Sequence, residues 1–306
     1  MNRFVRFCAV AAAACGSFCS AAQPGESRPP ARMLWVGSSS LYYHNQPKVC
    51  AEWLGAFGGM PAVAEIAGRS GTGVHVYLRP GFQAEYGLKR GQSILEKIAE
   101  GKYQYVVVQI PAEFIHGPEG EEFDRALDVY CRAIRAAGGE PVFYEMGWGR
   151  GDGTEVGRRK TFAAAVRNRV TLFAPCSTAW SRVRRERPDL ELQNPPDTAH
   201  PGTLGTYLNQ CCFFAALTGK PPAELPREIP IWRRPDADRK ALLDAKLNAT
   251  PFDAYDAALP DWMKRQMLNG RVERLSGEVA QYLRGVAWEE HQSIQSRLKQ
   301  AMAEQQ

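Results

Sequence analysis

The 306-residue sequence lacks several features that would place it directly in a class of protein. Its charge is nearly balanced, with 38 Lys and Arg against 33 Asp and Glu, a net of +5. The first 22 residues hold two arginines and no acid, so the rest carries 36 minus 33, or +3. So small a surplus, without a stripe of alternating basic and aromatic residues, argues against a nucleic-acid partner.

Metal-ligand patterns are also missing. The five histidines and eight cysteines show no C-x-x-C pair and no Cys/His spacing of the kind that holds zinc. The sequence therefore predicts neither a metal site nor a cofactor. Hydrophobic residues make up 44% and charged residues 23%, which is ordinary globular usage and excludes a disordered chain, collagen, a coiled coil or a polytopic membrane protein.

The N-terminus has the pattern of a secretory signal peptide over residues 1–22. Arg3 and Arg6 form a short basic start, residues 7–14 are apolar, and Ser20-Ala21-Ala22 supplies small residues, so cleavage is expected before Gln23. The apolar stretch is too short to span a bilayer, and no later stretch is long enough. The sequence thus predicts a secreted or periplasmic protein with no transmembrane span after signal removal.

A lipid anchor is the alternative for this leader. Ala13-Ala14-Cys15-Gly16 loosely resembles a bacterial lipobox without its usual leucine, and would leave the mature chain anchored at Cys15. Beyond the leader, five cysteines remain, an odd number that leaves at least one thiol unpaired within a monomer. In an oxidising compartment one or two disulfides could form. Cys211 and Cys212 lie in an apolar helical pattern, which favours core packing.

The body of the chain alternates strand and helix patterns after a linker at residues 23–32 that holds three prolines. Short apolar runs predict strands, and apolar residues at helical spacing predict the helices between them. The predicted strands are Met33–Val36, Ala62–Ile66, Tyr105–Val108, Pro141–Tyr144 and Thr171–Ala174. The predicted helices are Pro47–Phe57, Gln92–Glu100, Glu121–Ala137, Thr154–Val170 and Thr203–Leu217. This alternation predicts an α/β domain over residues 33–220, a doubly wound parallel sheet with helices on both faces.

The C-terminal part has a different pattern. Residues 221–235 contain five prolines, and residues 236–306 are mostly helical in pattern with no strand run. We therefore expect a helical C-terminal extension over residues 221–306, which either packs around the domain or forms a small appendage. The basic cluster Arg182–Arg187 ends a helical pattern and is interpreted as a solvated face.

Polar residues follow the predicted strands, at the edge where ligands bind in open parallel sheets. Ser38-Ser39-Ser40 follows the first strand, Gly68 the second and Gln109 the third. Asp197 and His200 lie in a predicted loop, residues 194–202, before the last helix of the domain. A serine needs a base to take its proton as it attacks, and a carboxylate can orient that base. The sequence therefore predicts a hydroxyl, an imidazole and a carboxylate at one edge.

Several blocks resemble the SGNH/GDSL-type hydrolases. "MLWVGSSSLYYHNQP" is similar to the opening block of a branch with a G-x-S start, and "DTAHPGTLGTYL" to its closing D-x-x-H-P block. "YVVVQ" and "VFYEMGWGR" resemble its third-block strand and a tryptophan-bearing strand end. The resemblance spans about residues 33–219. It implies a flavodoxin-like sheet of the SGNH type and cofactor-free ester hydrolysis through an acyl-enzyme, with an acyl group on a carbohydrate or another small ester as the substrate.

The resemblance also assigns roles to residues. Ser39 takes the nucleophile position, His200 the base and Asp197 the acid. The oxyanion donors would be the Ser39 N–H, Gly68 (rather than Gly71, because Gly68 directly follows the strand) and Gln109. The sequence departs from the family pattern at Gln109, which stands where the third-block asparagine is usual.

Alternative interpretations remain open. The serines could cap a helix, His200 could cap the next one, and Trp148 fits core packing better than a substrate groove. The missing asparagine motivates a catalytically inactive binding module of the periplasm or cell surface. A third hypothesis is an envelope interaction protein that uses the helical tail.

Overall fold

The structure is a computed structural model that describes residues 29–85, 87–148, 152–194, 197–231 and 271–305. The predicted signal peptide at residues 1–22, with Cys15, lies outside the described residues, as does most of the predicted 23–32 linker. The side chain of Asp197 is outside them too, although its backbone is described.

Five parallel strands form the central sheet, in the order β2-β1-β3-β4-β5. This flavodoxin-like order confirms the predicted doubly wound α/β fold, with its switch point between β1 and β3. The strands are β1 Ala31–Gly37, β2 Ala62–Gly68, β3 Tyr105–Pro111, β4 Glu140–Met146 and β5 Leu172–Ala174. Because β1 begins at Ala31 rather than Met33, it takes two residues from the predicted linker.

Helices follow the strands as predicted, including the one that ends in the Arg182–Arg187 cluster, and two short helices, α1 and α4, are added. They are α1 Ser39–Tyr42, α2 Gln46–Trp53, α3 Ile94–Gly101, α4 Ala112–His116, α5 Gly120–Ala136, α6 Asp152–Arg167, α7 Cys176–Glu186, α8 Thr203–Thr218 and α9 Gly277–Ala303. A π-helical turn, Leu54–Gly58, extends α2. Short 3₁₀ segments cover Tyr43–Asn45, Val74–Leu78 and Pro222–Glu224. Local side-chain contacts set the start of α3, where Ser93 and Glu96 form a capping box.

Apolar side chains cover both faces of the sheet, which explains why its strands are continuous apolar runs. On one face Phe213 of α8 makes edge contacts with Trp35 of β1, at 4.7 Å between ring centroids, and with Tyr144 of β4, at 4.8 Å. On the other face Phe123 and Ile134 of α5 are fully buried. Each such side chain contributes about 1.5–3 kcal/mol of burial free energy.

The C-terminal extension packs against the domain, the first of the two arrangements considered. α9 runs past the edge strand β5 and supplies Leu283 and Val286 to one core layer and Ile294 and Leu298 to the other. The prediction that residues 236–306 hold no strand is wrong: β9, Arg271–Arg274, pairs antiparallel with β8, Glu228–Ile231. The Arg-Val-Glu-Arg segment has only one apolar residue, so no strand pattern marks it.

A second correction concerns the predicted loop at residues 194–202. Its backbone forms an antiparallel hairpin of β6, Gln193–Asn194, and β7, Asp197–Pro201. The segment is polar and contains two prolines between the strands, so its composition is that of a loop. Pairing to β6, rather than propensity, sets its strand conformation.

The hairpin sits tightly on α8, and this close approach depends on a glycine. A Cβ added at Gly205 would lie 2.2 Å from the Leu192 carbonyl oxygen and 2.3 Å from the Trp180 ring. Gly205→Ala must therefore shift α8 or the hairpin, and should lower the free energy of unfolding by about 1–3 kcal/mol.

Gly285 of α9 is the matched control for this prediction. A Cβ there would meet nothing within 4 Å. Gly285→Ala should raise the free energy of unfolding by about 0.5–1 kcal/mol through helix propensity. Urea denaturation of both variants checks the pair, and equal effects would contradict the packing described here.

The described part of the chain contains no helix with the length and apolar character needed to cross a bilayer. The five cysteines beyond residue 22 are buried free thiols in this structure: Cys50, Cys131, Cys176, Cys211 and Cys212. Cys211 and Cys212 are fully buried in α8, as core packing requires.

Candidate active site

Ser39 and His200 meet at the carboxyl edge of the sheet. Ser39 is the first residue of α1, directly beyond β1, and His200 lies in β7. The Ser39 Oγ is 2.8 Å from the His200 Nε2, although the two residues are 161 positions apart. Both side chains are half-buried. The distance is that of a hydrogen bond between a hydroxyl and an imidazole nitrogen.

Gln109 fixes the turn that presents Ser39. Its Oε1 accepts hydrogen bonds from the Ser38 N–H at 2.6 Å and from the Ser38 Oγ at 3.0 Å, and all of these atoms are buried. The close approach requires the glycine before the turn, because a Cβ at Gly37 would lie 2.3 Å from that Oε1. The residue expected to donate to an oxyanion therefore also anchors the backbone beside the serine.

The other end of the Gln109 carboxamide is engaged as well. Its Nε2 donates to the Met146 Sδ at 2.8 Å, at the end of β4. Thioether sulfur is a weak acceptor, so this contact holds the amide less firmly than an oxygen would. The predicted oxyanion role of Gln109 stays a prediction, and it requires the Nε2 to turn from sulfur towards substrate.

Removing the Gln109 carboxamide should weaken the fold around Ser39. Gln109→Met keeps the length of the side chain but leaves the buried Ser38 N–H without its acceptor. We expect a loss of about 1–3 kcal/mol in the free energy of unfolding. Gln104→Met is a control, since Gln104 is also bonded through its Oε1 to a backbone N–H, that of Arg32, but at an exposed site. Urea denaturation checks the pair, and equal losses would contradict the anchoring role.

Gly68 ends β2 directly opposite Gly37 in the parallel register, so it lies at the same edge as Ser39. Its carbonyl accepts from the Glu85 N–H at 2.9 Å. The Tyr77 hydroxyl braces this edge by donating to the Gly37 carbonyl and accepting from the Arg69 N–H. Burial raises the pKa of Tyr77 above its ordinary value, so it stays a neutral donor.

His44 is a further contributor to this site, and no motif or spacing in the sequence marks it. It is buried, with a φ of 54°, and its Nε2 donates to the Pro201 carbonyl at 3.0 Å. It thereby joins the turn after Ser39 to the residue after His200. Its sequence carries no signal for this, since the contact depends on a left-handed backbone conformation.

A buried amide network ties the same two segments together one layer deeper. The Gln46 side chain donates to the Ser40 carbonyl and accepts from the Asn209 Nδ2 at 3.2 Å. Asn209 also contacts the Tyr144 hydroxyl at 3.3 Å and accepts from the Trp180 Nε1 at 2.9 Å. The network joins α2, α8, β4 and α7, so the Ser39 turn and the helix after His200 are fixed to one frame.

The β6–β7 hairpin is supported from below by Arg184. This side chain donates to the Trp148 carbonyl and, at 2.9 Å, to the Gln193 Oε1 of β6. It therefore does not belong to a solvated face, as its basic cluster had suggested. Trp148 itself is buried with its ring centroid 4.1 Å from that of Trp180. Core packing was the favoured interpretation of Trp148, and its burial agrees with that.

Asp197 begins β7, three residues before His200. Its side chain lies outside the described residues, so its predicted role in orienting His200 stays a prediction.

Within the part of the chain that the structure describes, three side chains other than Ser39 and His200 have the geometry of a metal site: His75, Glu119 and Glu122. Arg79 donates to Glu119 at 2.8 Å and to Glu122 at 2.7 Å, while His75 Nε2 lies 2.8 Å from Glu119. The guanidinium lowers the pKa of both carboxyl groups. A cation is thus already supplied by the chain itself, and the cluster is best explained as an ion-pair network.

No family model matches the chain, and none of the curated proteins matches it. Among solved structures, it is similar to a "putative SGNH hydrolase from Slackia heliotrinireducens", with 20% sequence identity and a TM-score of 0.49. The match covers 63% of this chain and 100% of that one. The fold described above rests on the strand order and the parallel register themselves.

Proposed function

We propose that this protein is a serine hydrolase of the SGNH type that cleaves an ester through an acyl-enzyme. The observation that carries the proposal is the 2.8 Å contact between the Ser39 Oγ and the His200 Nε2 at the carboxyl edge of the sheet. A serine and a histidine in this relation form the nucleophile and base of an acyl-transfer site. The sheet order and the resemblance of the sequence blocks support the same reaction class.

In the proposed reaction, the Ser39 hydroxyl donates to the neutral Nε2 of His200 and attacks the ester carbonyl carbon. The Oγ–C bond forms while the proton moves to His200, and the carbonyl oxygen becomes an oxyanion. Collapse breaks the bond to the alcohol, which leaves with the proton from His200. Water then attacks the acyl-enzyme with His200 again as base, which releases the acid and restores Ser39.

The oxyanion would be held by the Ser39 N–H, Gly68 and Gln109. The first N–H groups of a helix have no intrahelical acceptor, and Ser39 opens α1. Each preorganised donor of this kind contributes about 3–4 kcal/mol to lowering a barrier in related chemistry. Asp197 would orient the His200 ring and stabilise the imidazolium.

The proposed substrate is an acyl group on a carbohydrate or another small ester, and the proposed location is outside the cytoplasm after removal of residues 1–22. Purified mature chain from residue 23 should release acetate from acetylated oligosaccharides and hydrolyse p-nitrophenyl acetate. His200→Gln is the comparison variant. Turnover that the variant retains in full, or none in the folded protein, would overturn the proposal.

A catalytically inactive binding module is the second candidate. The observation that favours it is that the Gln109 carboxamide is engaged at both ends, by Ser38 and by Met146. A binding module would hold an acetylated oligosaccharide without releasing acetate, and His200→Ala would leave the affinity unchanged. Calorimetry alongside acetate release separates the two candidates.

A further inference from the structure

A cavity separate from the Ser39–His200 pair lies between α6, α7 and α9 and over the end of β4. Its volume is about 260 Å³, and Glu145 and Thr178 line it together with charged side chains of the three helices. That is smaller than the roughly 300–1,000 Å³ typical of sites for drug-sized ligands. Neither Ser39 nor His200 lines it. The volume of the cavity therefore suits a ligand smaller than a typical drug molecule.

Arginines dominate the lining, and they come from all three helices. The five are Arg158, Arg159, Arg182, Arg185 and Arg297, against three carboxylates: Glu145, Glu155 and Glu290. Two further carboxylates outside the lining also contact these arginines: Glu186 and Glu289 pair with Arg182, and Glu186 lies 3.5 Å from Arg185. Guanidinium groups are planar, permanently charged and matched in geometry to phosphate and sulfate oxygens.

Two of the arginines are held in place by contacts with neighbouring side chains of the protein. Arg158 donates to Glu155 and to the Ser181 hydroxyl, and Arg182 pairs with Glu290 at 3.3 Å and with two other carboxylates. These two form the fixed wall of the cavity.

The other three arginines are held loosely. Arg159 is 3.8 Å from Glu155, and Arg185 is 3.5 Å from Glu186. Within the described part of the chain, Arg297 makes no ion pair and packs over the Phe162 ring at 4.6 Å. Like charges brought together repel unless an anion neutralises them. Three loosely paired guanidinium groups around one cavity point to such an anion.

We propose that this cavity binds a small polyanion that carries phosphate or sulfate groups. Arg159, Arg185 and Arg297 supply the charge-assisted hydrogen bonds, and Arg158 and Arg182 complete the electrostatic field. The site is independent of ester hydrolysis at Ser39.

The floor of the cavity favours an anion below about pH 7, where Glu145 is protonated, and opposes it at higher pH. Glu145 is buried and accepts hydrogen bonds from the Thr178 N–H at 2.9 Å and the Thr178 Oγ1 at 2.8 Å. Burial raises the pKa of Glu145 to about 7, against smaller opposing effects of Thr178, Arg158 and Arg297. A protonated Glu145 can donate to an anion oxygen, so the affinity should be higher below pH 7 and should fall as the pH rises through it.

The test is calorimetric titration of the chain with pyrophosphate, inorganic phosphate and sulfate at constant ionic strength. We expect one site, and a loss of affinity of about tenfold or more in Arg297→Gln and in Arg159→Gln. Arg132→Gln, an exposed arginine on α5 away from the cavity, is the matched control and should bind like the wild type. Glu145→Gln should bind severalfold more tightly than the wild type at pH 8, because it removes the floor charge.

Preference for pyrophosphate or phosphate over sulfate would identify a phosphorylated ligand, and the reverse a sulfated one. No binding at millimolar probe would overturn the proposal. Equal weakening in Arg132→Gln would do the same, since it would mark nonspecific attraction. Weaker binding by Glu145→Gln at pH 8, with its melting temperature unchanged, would place any anion away from this cavity.

Discussion

Ser39→Ala is expected to reduce the rate of ester hydrolysis on the order of 10⁴–10⁶-fold, because it removes the atom that forms the acyl-enzyme. The substitution deletes one half-buried oxygen at the start of α1 and introduces no new contact. The free energy of unfolding should therefore change by less than about 1 kcal/mol. Steady-state hydrolysis of p-nitrophenyl acetate, with urea denaturation of the same sample, measures both quantities.

The neighbouring serine provides the control for this loss. Ser40→Ala deletes the same atom one residue further along α1, and Ser40 contributes to the site through its backbone carbonyl, which accepts from Gln46. It should keep activity within about tenfold of the wild type. If Ser40→Ala lost as much hydrolytic activity as Ser39→Ala, the losses would reflect distortion of the turn rather than removal of a nucleophile.

His200→Ala is expected to lose nearly as much activity as Ser39→Ala. Without the imidazole, no group at 2.8 Å takes the proton from the Ser39 Oγ as it attacks. Because the two side chains act as one unit, the double variant should be no slower than Ser39→Ala alone. If the loss of activity in the double variant equalled the product of the two single losses, the two side chains would act in separate steps, which would contradict this account.

Added imidazole separates a chemical role of His200 from a structural one. The truncated side chain leaves room beside Ser39, so millimolar imidazole should restore part of the activity of His200→Ala and none of that of Ser39→Ala. His116→Ala, an exposed histidine at the end of α4, should match the wild type throughout. Loss of melting temperature in His200→Ala, with no rescue, would favour a purely structural role.

The sheet could be predicted from the sequence because its strands are buried on both faces. Tyr105-Val106-Val107-Val108 is a continuous apolar run, and β3 contains it within Tyr105–Pro111. The position of Ser39 beyond β1 followed from the same pattern, and so did its place at the carboxyl edge. Buried elements need apolar residues, and these are visible in the sequence. Elements whose conformation depends on burial could therefore be predicted.

Elements whose conformation depends on strand pairing or on one specific contact could not be predicted from the sequence. β7 and β9 are polar strands whose conformation depends on pairing with another strand. The partner of β9, β8, is distant in the sequence, and β7 pairs with β6 in an irregular register. The φ of 54° at His44 and the direction of the Gln109 carboxamide depend on tertiary contacts with Pro201, Ser38 and Met146. Composition and periodicity carry no information about such contacts, so the support around Ser39 became visible only in three dimensions.

Covalent trapping of Ser39 tests the central claim most directly. The folded chain from residue 23 is incubated with a fluorophosphonate, which transfers its phosphonyl group to an activated serine with release of fluoride. The adduct is then located by peptide mass spectrometry. We predict one adduct per chain, on Ser39, formed much more slowly in His200→Ala. A folded protein that acquires no adduct, or acquires it on another serine, would contradict the account.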